Sequence, residues 1–217
     1  MDIFEVMRQR RSVRAYLDKP VSRTQIEAVI GYAGLAPSAI NLQPWEFVVT
    51  YGDEKDRLVR RLKKVHAERS VSCGPGTSKP LPKQFAERTR EALRVMEPRI
   101  SQLGVPFNQF IEEGSCSFYG APIAVIVTID RVFPHIRYLD VGLSVSYLLL
   151  AAHAMGLATC PVGLITAYAD EIADALGISS EKEIVLGIAV GYGDEASPAN
   201  NFKIEREPLN EILSWYE

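Results

Sequence analysis

The sequence has few cysteines, no long apolar run and no secretory leader. Only three of its 217 residues are cysteines, at positions 73, 116 and 160, and they form no CxxC pair. This scarcity argues against a disulfide framework, a zinc site and a four-cysteine iron–sulfur cluster. The most apolar stretch, 147–152, is too short to cross a bilayer, and residues 1–5 lack the basic-then-apolar order of a signal peptide. We therefore expect a soluble cytoplasmic protein that does not engage a membrane.

The common catalytic signatures are also missing. No P-loop, GxSxG or HExxH is present, and no GxGxxG opens a helix after a predicted strand. His66 and His153 lie in predicted helices, where a structural role is the simpler interpretation. Cys160 precedes Pro161 in what we interpret as a glycine-containing turn. Since no base can be assigned beside it, an inert buried thiol is the simpler interpretation there.

Composition and charge indicate a globular domain with an uneven surface. The chain is 47% hydrophobic and 24% charged, which is ordinary for one folded domain over 1–217. Residues 1–104 carry 19 Lys and Arg against 12 Asp and Glu, and residues 105–217 carry 5 against 15. The basic half could meet nucleic acid or the phosphate of a small ligand. Much of its charge, however, follows helical spacing at 57–64 without interleaved aromatic residues, so we expect a solvated helix face and no nucleic-acid partner.

Hydrophobic periodicity predicts a helix-rich α+β chain. Ser22 and Gln25 fit a capping box that starts a helix running to about Gly34. Pro98 is expected to end the periodic segment that precedes it. The other predicted helices are 2–9, 53–69, 83–97, 138–155 and 209–215, and the predicted strands are 45–50, 121–129 and 184–190.

The predicted helix 138–155 is the most apolar of the chain. Its apolar side chains surround the helix axis, so we expect burial on nearly all sides. In a layered domain that burial needs cover from more than one element, which a second copy of the chain would supply.

A cluster of basic residues is the strongest chemical signal. Arg10, Ser12 and Arg14 would project to one side of an extended segment, an arrangement that suits one phosphate group. Lys203 and Arg206 could converge on the same group from the tail. Taken alone, the cluster is better explained by an ordinary basic surface.

Several strings in order resemble the flavin-dependent nitroreductase family. These are RRSVRAY at 10–16, APSAINLQPWEF at 36–47, GLATCPVG at 156–163 and GIAVGY at 187–192, followed by Lys203 and Arg206. The second string is the most specific, and the order and spacing agree from about residue 3 to 215. The resemblance implies a three-layer α+β fold, in which helices flank a mostly antiparallel sheet and two copies form an intertwined homodimer.

The resemblance also implies how FMN is bound. In the first motif and the tail, the implied ligands of the phosphate and ribityl end are Arg10, Arg11, Ser12, Arg14, Lys203 and Arg206. Pro37, Ser38 and Asn41 are implied to approach the same flavin from the other subunit. Along the isoalloxazine ring the implied residues are Pro161, Val162, Gly163 and Leu164, with the Gly163 N–H donating to flavin N5.

The implied activity begins with transfer of hydride from NADH or NADPH to flavin N5. The reduced flavin would then reduce a nitroaromatic, a quinone or a similar small acceptor, in a ping-pong mechanism. Both ligands would stack on the ring in turn, so no Rossmann motif is needed. One alternative keeps the fold but changes the chemistry to reductive dehalogenation or flavin fragmentation. Another is a flavin-binding or nucleic-acid-binding protein without turnover, which only the basic first half supports.

The segment 66–118 matches the family least well. It is implied to cover the active site and to vary with the substrate. Phe107, Phe110, Phe118 and Tyr119 are candidates to shape the acceptor pocket, although core packing is the simpler role for each one. Gly74-Pro75-Gly76 could make part of this cover mobile.

Overall fold

A four-stranded antiparallel sheet forms the centre of the protein, and its strands follow the order β1-β2-β4-β3. The computed structural model describes residues 2–74, 77 and 79–217. The strands are β1 (Trp45–Tyr51), β2 (Ile123–Asp130), β3 (Ala158–Val162) and β4 (Lys182–Gly191). The helices are α1 (Ile3–Gln9), α2 (Arg23–Ala33), α3 (Gly52–Arg69), α4 (Lys83–Ile100), α5 (Phe107–Cys116), α6 (Tyr138–Ala154) and α7 (Ala169–Leu176).

The central strand β2 shows why the helices lie on both faces of the sheet. It reads IAVIVTID, and its residues 123–129 are all buried. Val125 and Val127 belong to a core shared with α2 and α6, whereas Ala124 and Ile126 belong to a second core shared with α3 and α7. Because successive side chains of a strand point to opposite faces, a fully apolar strand needs cover on both sides. This arrangement confirms the expected three-layer α+β fold.

Local signals set the ends of α2 as predicted. The Ser22 hydroxyl accepts a hydrogen bond from the Gln25 N–H, and the Gln25 side chain accepts one from the Ser22 N–H. Gly34 caps the other end, where its N–H donates to the Ile30 carbonyl. Reciprocal capping satisfies N–H groups that a helix start would otherwise leave unpaired.

Helix α4 does not end before Pro98 as predicted. It continues to Ile100, which is fully buried. A proline in the last turn removes only one hydrogen bond near the helix end, and burial of Ile100 favours continuation.

Three further predictions of local structure were wrong or incomplete. Cys160 and Pro161 lie in β3 and not in a turn. Pro161 is tolerated because β3 is the last strand of the sheet, and the isolated bridge on its other side is made by Thr159 and not by Pro161. Helices α5 and α7 were not foreseen. The tail helix expected at 209–215 is a single 3₁₀ turn, Leu209–Glu211.

Helix α6 is buried on one side only within a single chain. Val141 and Leu148 face the core, whereas Leu139, Leu143 and Tyr147 form an exposed apolar stripe at a spacing of four residues. Leu139 alone is 65% exposed. The expected burial on nearly all sides therefore requires cover that one chain does not supply. Within the described residues, none of the helices combines the length and the apolar composition needed to cross a bilayer.

Candidate functional site

The first basic motif, residues 10–16, runs beside the edge strand β3. Ser12 forms a parallel bridge with Thr159, and the Val13 N–H donates to the Thr159 carbonyl at 2.9 Å. The Val13 side chain is buried, which fixes the segment against the sheet. The motif is therefore extended, as expected, and lies along β3, which ends at Val162 just before Gly163.

Asn200 anchors this segment, a role that sequence reasoning did not foresee. The Arg14 N–H donates to Asn200 Oδ1 at 2.7 Å, and Asn200 Nδ2 donates to the Ala15 carbonyl at 2.8 Å and to the Asp194 carbonyl at 2.9 Å. The Asn200 side chain is buried, so these bonds are shielded from water. Position 200 carries no local sequence signal for this role, because its partners in the first motif are 185 and 186 residues away along the chain.

The structure brings together only some of the predicted phosphate ligands. The pKa of Arg10 is lowered, first by partial burial and then by the nearby positive charge of Arg206. Arg11 instead forms an ion pair with Glu195, and Lys203 lies 4.0 Å from Glu205. No carboxylate is paired with Arg10 or Arg206 among the described residues. Two guanidinium groups that influence each other electrostatically and have no carboxylate partner form a region suited to an anion.

The four residues implied to lie along the flavin ring are located at the end of β3. Val162 has a buried side chain, so it can present only its backbone, whereas Gly163 is exposed. The Gly163 N–H has no acceptor among the described residues. Its carbonyl accepts two hydrogen bonds from Thr166, one from the N–H at 3.1 Å and one from Oγ1 at 2.9 Å. Thr166, also unforeseen, holds this turn in place.

The loop that contains Pro37, Ser38 and Asn41 has an unusual backbone. Ile40, Asn41 and Gln43 have φ angles of 43°, 61° and 47°, in the left-handed region. The Ser38 hydroxyl stabilises the loop by accepting a hydrogen bond from the Gln43 N–H at 3.0 Å. Ile40 is 92% exposed. Left-handed non-glycine residues cost conformational energy and are concentrated at functional sites.

A cavity of about 230 Å³ lies between α4, α5 and Arg14. Its apolar wall is formed by Leu93, Met96, Phe107 and Ile111. Beside it, the carboxylate of Glu112 accepts a hydrogen bond from the Cys73 N–H at 3.2 Å, which attaches the end of the 70–74 segment to α5. Of the mobile segment expected at Gly74-Pro75-Gly76, residues 75 and 76 lie outside the described part of the chain.

The aromatic candidates of segment 66–118 divide by location. Phe107 lines the cavity, whereas Phe118 is fully buried in the core. Phe110 packs against Tyr119 with ring centroids 5.7 Å apart, and Tyr119 lies beside Arg14. Only Phe107 is therefore exposed to a ligand in the cavity.

His66 and Cys160 have structural surroundings, whereas His153 lies near the first basic motif and its buried Nε2 has no hydrogen-bond partner among the described residues. His66 Nδ1 lies 2.7 Å from the hydroxyl of the buried Tyr168. Burial lowers the pKa of His153, and the charges of Arg10 and Arg11 lower it further. Cys160 is 1% exposed, and burial raises the pKa of its thiol. A neutral buried thiol is a poor nucleophile.

Comparison with known proteins identifies a family. The profile described as the Nitroreductase family matches residues 7–192. A 4-nitrobenzoate reductase of Pseudomonas putida is 33% identical over 208 residues, which cover 95% of this chain and 92% of that protein. Nitroreductase NfnB of Mycolicibacterium smegmatis is 32% identical over 215 residues, with 95% and 89% covered.

Solved structures show the same fold. The crystal structure of the FMN-dependent nitroreductase NfnB from Mycobacterium smegmatis in complex with NADPH has a TM-score of 0.88 at 29% identity, and each chain is covered completely. An FMN and NADPH-dependent nitroreductase from Sphigopyxis sp. strain HMH has a TM-score of 0.89 at 24% identity and also covers both chains completely. The second likeness shows the fold alone.

Proposed function

Because this chain belongs to the nitroreductase family, we propose that it is an FMN-dependent oxidoreductase that takes electrons from NADH or NADPH and reduces a nitroaromatic, a quinone or a similar small acceptor. The main observation behind the proposal is that the first basic motif pairs with β3. The cations of this motif therefore lie beside the strand that leads to the exposed Gly163. The names of the relatives support the choice of cofactor and acceptor class.

The residues present fit an FMN group. Arg10 and Arg206 lie close enough to affect each other's charge, and neither has a carboxylate partner among the described residues. The buried Nε of Arg14 likewise has no hydrogen-bond partner there. Guanidinium groups without a carboxylate partner match the phosphate and polar oxygens of FMN, since charge-assisted hydrogen bonds are stronger than neutral ones.

Each part of the site has a separate role in this proposal. Arg10, Arg206 and Ser12 would bind the phosphate, and Arg11 and Lys203 would join them only by leaving Glu195 and Glu205. Pro161, Val162 and Leu164 border the ring, and the Gly163 N–H donates to N5. When bound, FMN supplies a hydride acceptor at N5 and passes the electrons to a second ligand, in a ping-pong cycle. Thr166 restrains the turn that follows Gly163 through its two hydrogen bonds to the Gly163 carbonyl.

The cavity between α4 and α5 is a suitable acceptor site. Its volume of about 230 Å³ accommodates a single aromatic ring, and its wall is mainly apolar. Phe107 and Ile111 would contact the ring faces, while Arg14 lies at the cavity wall that adjoins the first motif. Segment 66–118 would thus contribute to the choice of acceptor.

A second copy of the chain would complete the site. Within one chain, three apolar regions lack cover: the exposed stripe of α6, the apolar residues of α1 and those of the tail at 209–216. Large contiguous apolar surfaces of this kind are typical of obligate dimers. Pro37, Ser38 and Asn41 would then reach FMN from the neighbouring subunit. A cytoplasmic location and independence from nucleic acid stay predictions.

Steady-state kinetics test the proposed reaction. We expect the FMN-loaded protein to oxidise NADH or NADPH when 4-nitrobenzoate or a quinone is supplied. Double-reciprocal plots at several acceptor concentrations should give parallel lines, because the first product leaves before the acceptor binds. Intersecting lines would contradict the ping-pong cycle, and no turnover with any nitroaromatic or quinone would contradict the acceptor class.

A further inference from the structure

The segment that joins α5 to β2 has a strained backbone. Phe118, Tyr119 and Gly120 are consecutive and have φ angles of 50°, 53° and 75°. Glycine adopts this region readily, but aromatic residues seldom do. Two such residues in a row require surroundings that hold them in place.

The glycines at two neighbouring positions accommodate these aromatic rings. A Cβ atom at Gly187 on β4 would lie 2.9 Å from Phe118 Cε1, so the Phe118 ring packs directly on the strand. A Cβ atom at Gly114 on α5 would lie 2.4 Å from Tyr119 Cε1. The Tyr119 ring therefore occupies the space above Gly114, and Phe110 flanks it.

The other neighbour of the Tyr119 ring is Arg14. The guanidinium carbon of Arg14 lies 5.9 Å from the ring centroid, within the range of a cation–π contact. The Arg14 backbone is held by Asn200, while its buried Nε has no hydrogen-bond partner among the described residues. Burial raises the pKa of Tyr119, and the Arg14 charge opposes that rise without cancelling it, so the ring is a neutral phenol near pH 7.

We propose that Tyr119 is a positioning residue for FMN binding. Its ring packs in the space above Gly114 and orients the side chain of Arg14. The inference rests on the proposed function, because it takes FMN as the ligand of Arg14. Asn200 restrains the backbone of Arg14 and Tyr119 restrains its side chain. A long flexible side chain that is already held in one orientation loses less entropy when its ligand binds. The strained backbone at Tyr119 is then the conformation that brings the ring to Arg14.

A double-mutant cycle on FMN affinity tests this inference. The dissociation constant of FMN is measured by quenching of flavin fluorescence for the full chain and for Tyr119→Leu, Arg14→Ala and the double variant. We expect Tyr119→Leu to weaken binding roughly three- to tenfold when Arg14 is present, the size of a lost cation–π contact. In the Arg14→Ala background the same change should alter affinity less than about twofold.

Conservative and steric variants separate positioning from a general structural role. Tyr119→Phe retains the ring and should restore wild-type affinity. Gly114→Ala retains Tyr119 but displaces its ring, so it should weaken FMN binding as Tyr119→Leu does. Phe110→Leu is the matched control, since it contacts the Tyr119 ring and should leave FMN affinity unchanged. If Tyr119→Leu does not fold, the Gly114→Ala cycle with Arg14→Ala takes its place.

Several results would overturn the inference. An equal loss of affinity in both Arg14 backgrounds would show that Tyr119 acts only on the fold, and no loss in either background would remove it from the site. Unchanged affinity in Arg14→Ala would remove Arg14 itself while the proposed function stands. A wild-type protein that does not bind FMN at all would instead contradict the proposed function.

Discussion

At the scale of single residues, the site contains arginines without a carboxylate partner and a backbone N–H without an acceptor. Arg10 and Arg206 have no carboxylate partner among the described residues, and the exposed Gly163 N–H has no described acceptor. The neighbouring Arg11 does not share this condition, because it is paired with Glu195. The difference between paired and unpaired cations identifies the residues that are available to an anion.

Replacement of Arg10 tests the phosphate site. We expect Arg10→Ala to weaken FMN binding by about 1.5–3 kcal/mol, the contribution of one charge-assisted hydrogen bond. Arg8→Ala is the control, since Arg8 is an exposed arginine at the end of the same helix. Titration of the apoprotein with FMN measures both. Equal affinities for Arg10→Ala and the wild type would exclude Arg10 from the site.

Alanine substitutions at Gly187 and Gly163 should have different effects on stability. Gly187→Ala would place its methyl group 2.9 Å from Phe118 and 3.0 Å from Ile165 in the core, so we expect a loss of about 1–3 kcal/mol in the free energy of unfolding. Gly163→Ala meets no atom within 4 Å and should leave stability nearly unchanged. Urea denaturation measures both. A similar loss for the two variants would contradict the packing described around Phe118.

At the scale of elements, local signals predicted several helices and strands, although α7 was missed despite its Gly177 cap. The capping box at Ser22 and the apolar run of β2 are examples of such signals. Strand β3 was missed because five residues that include Pro161 give no periodic pattern, and only pairing with β4 makes them a strand. Likewise, Asn200 and Thr166 contribute through tertiary contacts, which one sequence does not show.

The α2 cap can be tested directly. Ser22→Ala removes the acceptor for the Gln25 N–H, so we expect a loss of about 1 kcal/mol in the free energy of unfolding. Thr24→Ala is the control, because Thr24 lies in the same helical turn and makes no described side-chain hydrogen bond. Thermal unfolding followed by circular dichroism compares them. If both variants unfold at the same temperature, the cap does not stabilise this helix.

At the scale of the whole molecule, the apolar surface of one chain calls for a partner. The exposed residues belong to α1, α6 and the tail, where Trp215 is 80% exposed. The sequence had already indicated this from the apolar composition of 138–155, although it could not show which side of α6 stays uncovered. That side carries Leu139, Leu143 and Tyr147.

Charge on the exposed stripe should prevent assembly. We expect Leu139→Arg combined with Leu143→Arg to give a monomer, and the monomer to bind FMN weakly because Pro37, Ser38 and Asn41 are no longer supplied by a second subunit. Arg60→Glu is the control, since Arg60 is exposed on α3, across the sheet from α6. Sedimentation velocity reports the oligomeric state. A double variant that remains dimeric with full FMN affinity would place the interface elsewhere.

The visible absorption spectrum of the purified protein, recorded before and after addition of NADH or NADPH without oxygen, tests the central claim most directly. We predict a flavin spectrum, either as purified or after addition of FMN, that bleaches when one of the two nucleotides is added. A protein that stays colourless and takes up no FMN, or a bound flavin that neither nucleotide reduces, would contradict the assignment of this site to nicotinamide-dependent flavin chemistry.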